Sequence, residues 1–132
     1  MIMSYKLINA HDAKEGTTII VDGAPCTVRS NDISKTGKHG ASKCRIECIG
    51  ILDGKKRIVA VPGGERFEVP LIEKKRCQIL SVSGEKASVM DSESFETFDI
   101  TIDEEAKSQV QEGKRAEYWI IDSVKVLKRV SG

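Results

Sequence analysis

Apolar residues along this chain recur at every second position in short runs and almost nowhere at helical spacing. In KCRIECIGIL, Cys44, Ile46 and Cys48 alternate with Arg45 and Glu47, the period of a strand with one buried face. The same short texture marks TTIIV, PCTVR, KRIVAV and RFEVPLI. Asp22-Gly23 and Asp53-Gly54 stand between successive runs, and both dipeptides accept the positive φ angles of tight hairpins. Pro62-Gly63-Gly64 breaks the chain once more. Five or so short strands joined by such turns predict a small barrel or curled sheet.

A boundary is expected near Val69-Pro70-Leu71, because proline restricts its predecessor and cannot donate to a ladder. Beyond it, CQILSVS and KASVMD meet at Gly84, and FETFDITI follows as a third strand. DEEAKSQVQEG has the marks of a short helix: Asp103 as N-cap, Glu104 and Glu105 in the first turn, and Gly113 as a stop. AEYWIID and VKVLKRV supply two further strands. Three strands, a helix and two strands is the order of an OB-fold, a Greek-key barrel often used for nucleic acid. The expectation is an all-β chain of two tandem small barrels, residues 1–71 and 72–132, with one short helix in the second.

Composition narrows the function classes. Of the 132 residues 31% are charged and 39% hydrophobic, which is globular rather than disordered. No apolar run approaches the roughly 20 residues of a membrane span. The N-terminus MIMSYKLINAHDAK has neither a long apolar core nor a small-residue cleavage site. A cytoplasmic protein with no membrane partner is expected. The net charge is +1, but residues 1–71 hold 11 Lys/Arg against 8 Asp/Glu, and residues 72–132 hold 10 against 12. Between Arg29 and Arg57 the balance is 8 basic to 3 acidic, a local surplus of the kind that meets nucleic acid or simply faces water. Cys26, Cys44, Cys48 and Cys77 lack the paired spacing of zinc ligands. They read as buried thiols in a reducing compartment, and no metal site is expected.

The basic surplus centres on SKTGKHGASK, Ser34 to Lys43, which has three lysines, no acid and nothing large and apolar. A nucleotide-hydrolysing loop would need G-x-x-x-x-G-K-[ST]. Here Gly37-Lys38 is followed by His39, and Asp32 stands where the first glycine belongs. Neither histidine, His11 or His39, has an acid beside a nucleophile in the pattern of a catalytic triad, and no serine sits in a nucleophile elbow. No catalytic residue is expected. Two uses of the loop stay open: an ordinary flexible hairpin, or an arm with Lys38 at its tip and Lys35 and Lys43 behind it as phosphate contacts. Aromatic residues add little. Four of the six (Phe95, Phe98, Tyr118, Trp119) lie in the acidic second half, where core packing is the expected use of most of them.

The hexapeptide KTGKHG, Lys35 to Gly40, resembles the modification loop of the translation initiation factor 5A family, the hypusine-containing factors of archaea and eukaryotes. GKK at Gly54 to Lys56 and FEVPLI at Phe67 to Ile72 extend the resemblance, which covers nearly the whole chain. It implies an SH3-like barrel over residues 1–71 and an OB-fold over 72–132. It also implies a translation factor, not an enzyme, that uses no cofactor. Deoxyhypusine synthase would transfer an aminobutyl group from spermidine to the Lys38 amine, giving deoxyhypusine or, after hydroxylation, hypusine. Lys35, Thr36, Gly37, His39, Gly40 and Lys43 would shape the loop and contact tRNA and ribosome. The implied partners are the ribosome, peptidyl-tRNA, RNA and the synthase, and the implied action is peptide-bond formation at stalled sequences such as runs of proline. The alternative is a general RNA-binding module whose loop lysines act unmodified. The third domain of the bacterial relative, elongation factor P, has no counterpart here, and Ala41 replaces a histidine usual after the final glycine in eukaryotic loops.

Overall fold

The computed structural model describes residues 5–36 and 41–131, which fall into two compact units divided between Leu71 and Ile72. The first holds six strands: β1 (Tyr5–Asn9), β2 (Thr18–Val21), β3 (Ala24–Thr36), β4 (Ala41–Gly50), β5 (Lys56–Pro62) and β6 (Arg66–Pro70). β2 to β5 form an antiparallel sheet in chain order, while β1 pairs with β6. Ile8, Phe67 and Val69 from that pair pack on Ile19, Cys26, Val28, Cys44, Ile46 and Cys48 from the sheet. The result is an SH3-like barrel around one core. Asp22 at φ 51 and Gly23 at φ 78 turn β2 into β3, with both central residues left-handed as a two-residue hairpin requires.

The second unit is a closed barrel of β7 (Ile72–Ser83), β8 (Lys86–Asp91), β9 (Thr97–Ile102), β10 (Arg115–Ile121) and β11 (Val124–Val130). Its neighbours run β7-β8-β9-β11-β10 and back to β7, and only β9 with β11 is parallel. That is the OB arrangement. Ile79, Val89, Ile100, Ile102, Tyr118 and Leu127 fill the interior. The segment between β9 and β10 does start at Asp103, whose side chain accepts from the Glu105 amide. However, it winds as a 3-10 helix, Glu104–Gln109, not as an α-helix. Six residues give too few i→i−4 bonds to offset the nucleation cost of an α-helix.

One irregularity in β11 shapes the outer wall. Opposite β10 the register passes from Glu117↔Arg129 to Tyr118↔Leu127, so Lys128 is an extra residue. Such a bulge re-aims side chains. Lys128 Nζ reaches Asp103 Oδ2 at 2.6 Å, and both side chains are buried (8% and 2% exposed). Lys128 and Arg129 both stand over the Trp119 ring, at 5.0 and 5.7 Å.

Candidate functional site

The β3–β4 hairpin carries the basic motif, and backbone pairing follows it farther than the side chains suggest. Ser34↔Lys43, Lys35↔Ser42 and Thr36↔Ala41 all belong to the ladder. Six of the ten residues expected to form an exposed loop are therefore strand. Gly37, Lys38, His39 and Gly40 lie outside the described residues, and so does the side chain of Thr36. The ladder nevertheless reaches both flanks of the motif.

What holds the hairpin is a set of hydrogen bonds to backbone carbonyls at its root. Asn31 on β3 donates from Nδ2 to the carbonyls of Ala10 (2.8 Å) and Ala13 (3.0 Å), fastening the 3-10 turn Ala10–Asp12 against the strand. His11 in that turn reaches the Gly63 carbonyl twice, through Nδ1 at 2.8 Å and its backbone amide at 3.3 Å. Gly63 in turn donates its own amide to Ser42 on β4 at 2.9 Å. The chain of contacts runs from one strand of the hairpin, through the turn, to the other strand. A Cβ at Gly63 would meet the Ser42 hydroxyl and press on its Cβ, so a larger residue there would have to turn the Ser42 side chain aside. The Asn31 Oδ1 atom is buried without a partner among the described residues. These bracing residues carried no motif in the sequence. The one signal was an asparagine within a strand-like run, where a polar side chain needs a partner.

The lysines flanking the motif diverge. Lys35 lies on the ribbon face of its partner Ser42 and of the Ile33–Cys44 pair, whereas Lys43 shares the opposite face with Ser34, Asp32 and Arg45. Both are exposed. Period-2 alternation forbids them to converge below the tip.

Elsewhere in the first unit the β4–β5 turn is locked by Asp53, which pairs with Arg57 at 2.8 Å. That guanidinium and then the Lys55 amide hold the Asp53 carboxyl down at about 2. The thiols are all free and buried. Burial pushes Cys26 up to about 12 and Cys77 up to about 11, so neither carries thiolate near neutral pH. Among the described residues no three His, Cys, Asp or Glu side chains gather as a metal site would need, and no helix is long and apolar enough to cross a membrane.

Comparison with known proteins adds a family to this geometry. Residues 6–64 match the family described as translation initiation factor 5A-like, N-terminal. A translation initiation factor 5A of Pyrobaculum aerophilum is 41% identical over 131 residues, covering 96% of this chain and 95% of that one. That of Caldivirga maquilingensis is 42% identical over 130 residues, covering 96% and 98%. Among solved structures, one titled as a eukaryotic translation initiation factor 5A from Methanococcus jannaschii superposes with a TM-score of 0.80 at 31% identity. It covers 99% of this chain and 98% of its own.

Proposed function

The chain belongs to the translation initiation factor 5A family, and on that footing we propose that it is a cytoplasmic translation factor acting through a hypusine or deoxyhypusine side chain on Lys38. The factor binds the ribosome and brings the lengthened amine to the acceptor end of peptidyl-tRNA. There it promotes peptide-bond formation where synthesis stalls, as at runs of proline. The observation that supports this reading is the ladder that flanks the motif on both sides, with Thr36 paired to Ala41 and each strand tied through Asn31, His11 and Gly63 to the barrel.

A braced mount matters because the proposed action is positional. The factor supplies no acid, base or nucleophile. It lowers the entropic barrier of a slow step by holding the substrate in a reactive pose, an effect that can amount to several kcal/mol. Two cationic amines on one arm, set among the phosphates of the tRNA end, provide the hold. Deoxyhypusine synthase donates the aminobutyl group from spermidine, and Gly37, His39 and Gly40 shape the loop for that enzyme. Thr36 closes the ladder beneath them. The divergence of Lys35 and Lys43 weighs against the alternative, in which unmodified loop lysines form one phosphate-binding patch.

Lys38→Arg tests the proposal, since arginine keeps the charge but cannot accept the aminobutyl group. With protein made in its native cells, the variant is expected to leave translation of a proline run at its unassisted rate. Bulk RNA affinity should fall by only a few fold, because arginine keeps one of the arm's two positive charges. A mass measurement of the loop peptide establishes the modification in the parent protein. Full stimulation by the arginine variant, or a parent peptide with no added mass, rules the proposal out.

A further inference from the structure

We propose that the second barrel carries a nucleotide site of its own, a cleft in its outer wall where Arg76 and Arg115 clasp a phosphate and Phe95 stacks on the adjoining base. The cleft measures about 630 Å³ and lies wholly within residues 76–131. Strand register assembles it. Arg76 on β7 stands opposite Glu117 on β10, which stands opposite Arg129 on β11. In the next row Gln78 lies between Met90 on β8 and Arg115 on β10. Cys77 and Ala116, the intervening residues, point into the core, so these rows face outward.

The charges are disposed for an anion. Glu117 is the acid of the cleft wall, and it is already engaged: it accepts from Trp119 Nε1 at 2.7 Å and lies 3.5 Å from Arg129 Nε. Arg76 and Arg115 make no side-chain ion pair or hydrogen bond among the described residues. They are diagonal neighbours on adjacent strands, which stand about 7–8 Å apart or somewhat less at Cβ, within reach of one phosphate for two long forked side chains. The unit as a whole carries two more acids than bases, so this is no part of a generally basic surface.

Phe95 supplies the second half. It is 68% exposed and sits at φ 62, a conformation that costs a phenylalanine stability. The loop that presents it is tightly built. Asp91 Oδ1 accepts from the Glu93 and Ser94 amides at 2.8 Å each, and the Phe95 amide donates to the Asp91 carbonyl at 3.0 Å. The Ser92 amide donates to the carbonyl of Arg76, which ties the loop to β7, and Phe95 and Arg76 line the same cleft. An aromatic face beside unpaired arginines is the pairing by which proteins hold single nucleotides of a strand. Glu93 and Glu96 on the same loop repel further phosphates and limit the site to one or two nucleotides. Oligonucleotides on OB-folds usually take the face of the second and third strands and the first and fourth turns. Those are β8, β9 and the turns at Gly84 and Asp122–Ser123, a surface that the cleft meets only at Met90.

The ligand chemistry, one phosphate beside one base, is shared by a free mononucleotide and a single-stranded RNA. The full chain is titrated with AMP and, separately, with a fluorescein-labelled decauridylate, at two salt concentrations. Arg76→Ala/Arg115→Ala is expected to weaken binding about tenfold or more, and for the RNA to lower the salt slope by roughly 0.7, the share of the one phosphate the pair clasps. Phe95→Gly, which also relieves the φ angle, is expected to cost about tenfold. Arg76→Lys/Arg115→Lys keeps the charge without the fork and should fall between. In the parent protein the Nε–H signals of Arg76 and Arg115 should shift on adding probe. Response to both probes assigns the site to free nucleotides, and response to RNA alone assigns it to a strand; either supports the cleft. The proposal fails if the folded variants bind both probes within twofold of the parent. It also fails if all RNA affinity is lost in Lys35→Ala/Lys43→Ala while the cleft variants bind normally. Neither outcome bears on Lys38→Arg, so the two proposals can fail separately.

Discussion

The two units place positive charge in opposite ways. In the first, the flanks of the motif form a two-stranded ribbon whose lysines, Lys35 and Lys43, leave opposite faces. In the second, Arg76, Arg115 and Arg129 come from three neighbouring strands and look out from one wall. In the ribbon, alternation sends Lys35 and Lys43 to opposite sides, and Lys43 shares its face with Arg45 and with the acid Asp32. A barrel wall can gather charge, because register sets residues from different strands side by side. The first geometry suits delivery of a single group at an end; the second suits holding an extended anion. The supports differ as well. Neutral amides and carbonyls brace the hairpin root, whereas carboxylates brace the second barrel: Asp103 on Lys128, and Asp91 on Tyr118 and its own loop.

The most severe way to break this comparison is Lys128→Met. It leaves the Asp103 carboxylate buried without its cation, a loss on the order of 3–5 kcal/mol. Trp119, the one tryptophan, lies in the second unit, so urea unfolding followed by its fluorescence reads that unit directly. Amide exchange in β3 and β4 should not change; if it quickens in step, the units do not stand on separate supports.

Asn31→Leu attacks the other side. The carbonyls of Ala10 and Ala13 lose their donor, at a cost of about 2 kcal/mol. Exchange of amides near Thr36 and Ala41 should accelerate while Trp119 unfolding keeps its midpoint. An unchanged exchange rate would mean that the turn does not stiffen the hairpin.

The smallest effect is one of pH. The Tyr118 hydroxyl, 2.5 Å from Asp91 Oδ2, and then the Ser94 amide hold the Asp91 carboxyl at about 2, below its ordinary 3.8. A folded pKa below the unfolded one stabilises the protein above the unfolded value and ceases to do so as pH falls through the folded value. The fluorescence-detected stability of the second unit should therefore decline between about pH 4 and pH 2. Asp91→Asn should flatten that decline and cost on the order of 1–2 kcal/mol at neutral pH. Asp53 is held equally low in the first unit, but by Arg57 at the surface. High salt should weaken that pair and leave Asp91 with its phenol partner largely untouched.

Much of this was legible in the chain. Asp22-Gly23, Asp53-Gly54 and Gly84 marked turns because positive φ restricts residue choice, and all three turns take it up at Asp22, Gly23, Gly54 and Gly84. Alternation placed Cys44, Ile46 and Cys48 in the core. The reach of β3 and β4 into the basic motif was hidden, because Ser34, Lys35 and Ser42 have no apolar alternation to betray a ladder held by backbone pairing and by His11 and Gly63. The arginine wall was hidden more deeply. Arg76, Arg115 and Arg129 are far apart in sequence, and only the β7–β10–β11 register makes them neighbours. Phe95 read as the start of a strand and proved to be the exposed tip of a turn, since Asp91 captures the amides that a longer β9 would have paired.

The extra residue in β11 has a genetic corollary. Were the ladder to run on without it, Lys128 would face Glu117 and Arg129 would be driven against Ala116, into the barrel. Loss of that one codon would instead restore regular pairing while deleting the cation that Asp103 needs. Natural variants of this chain should therefore tolerate a length change in the Asp122–Ser123 turn before β11 more readily than a single-residue deletion at position 128.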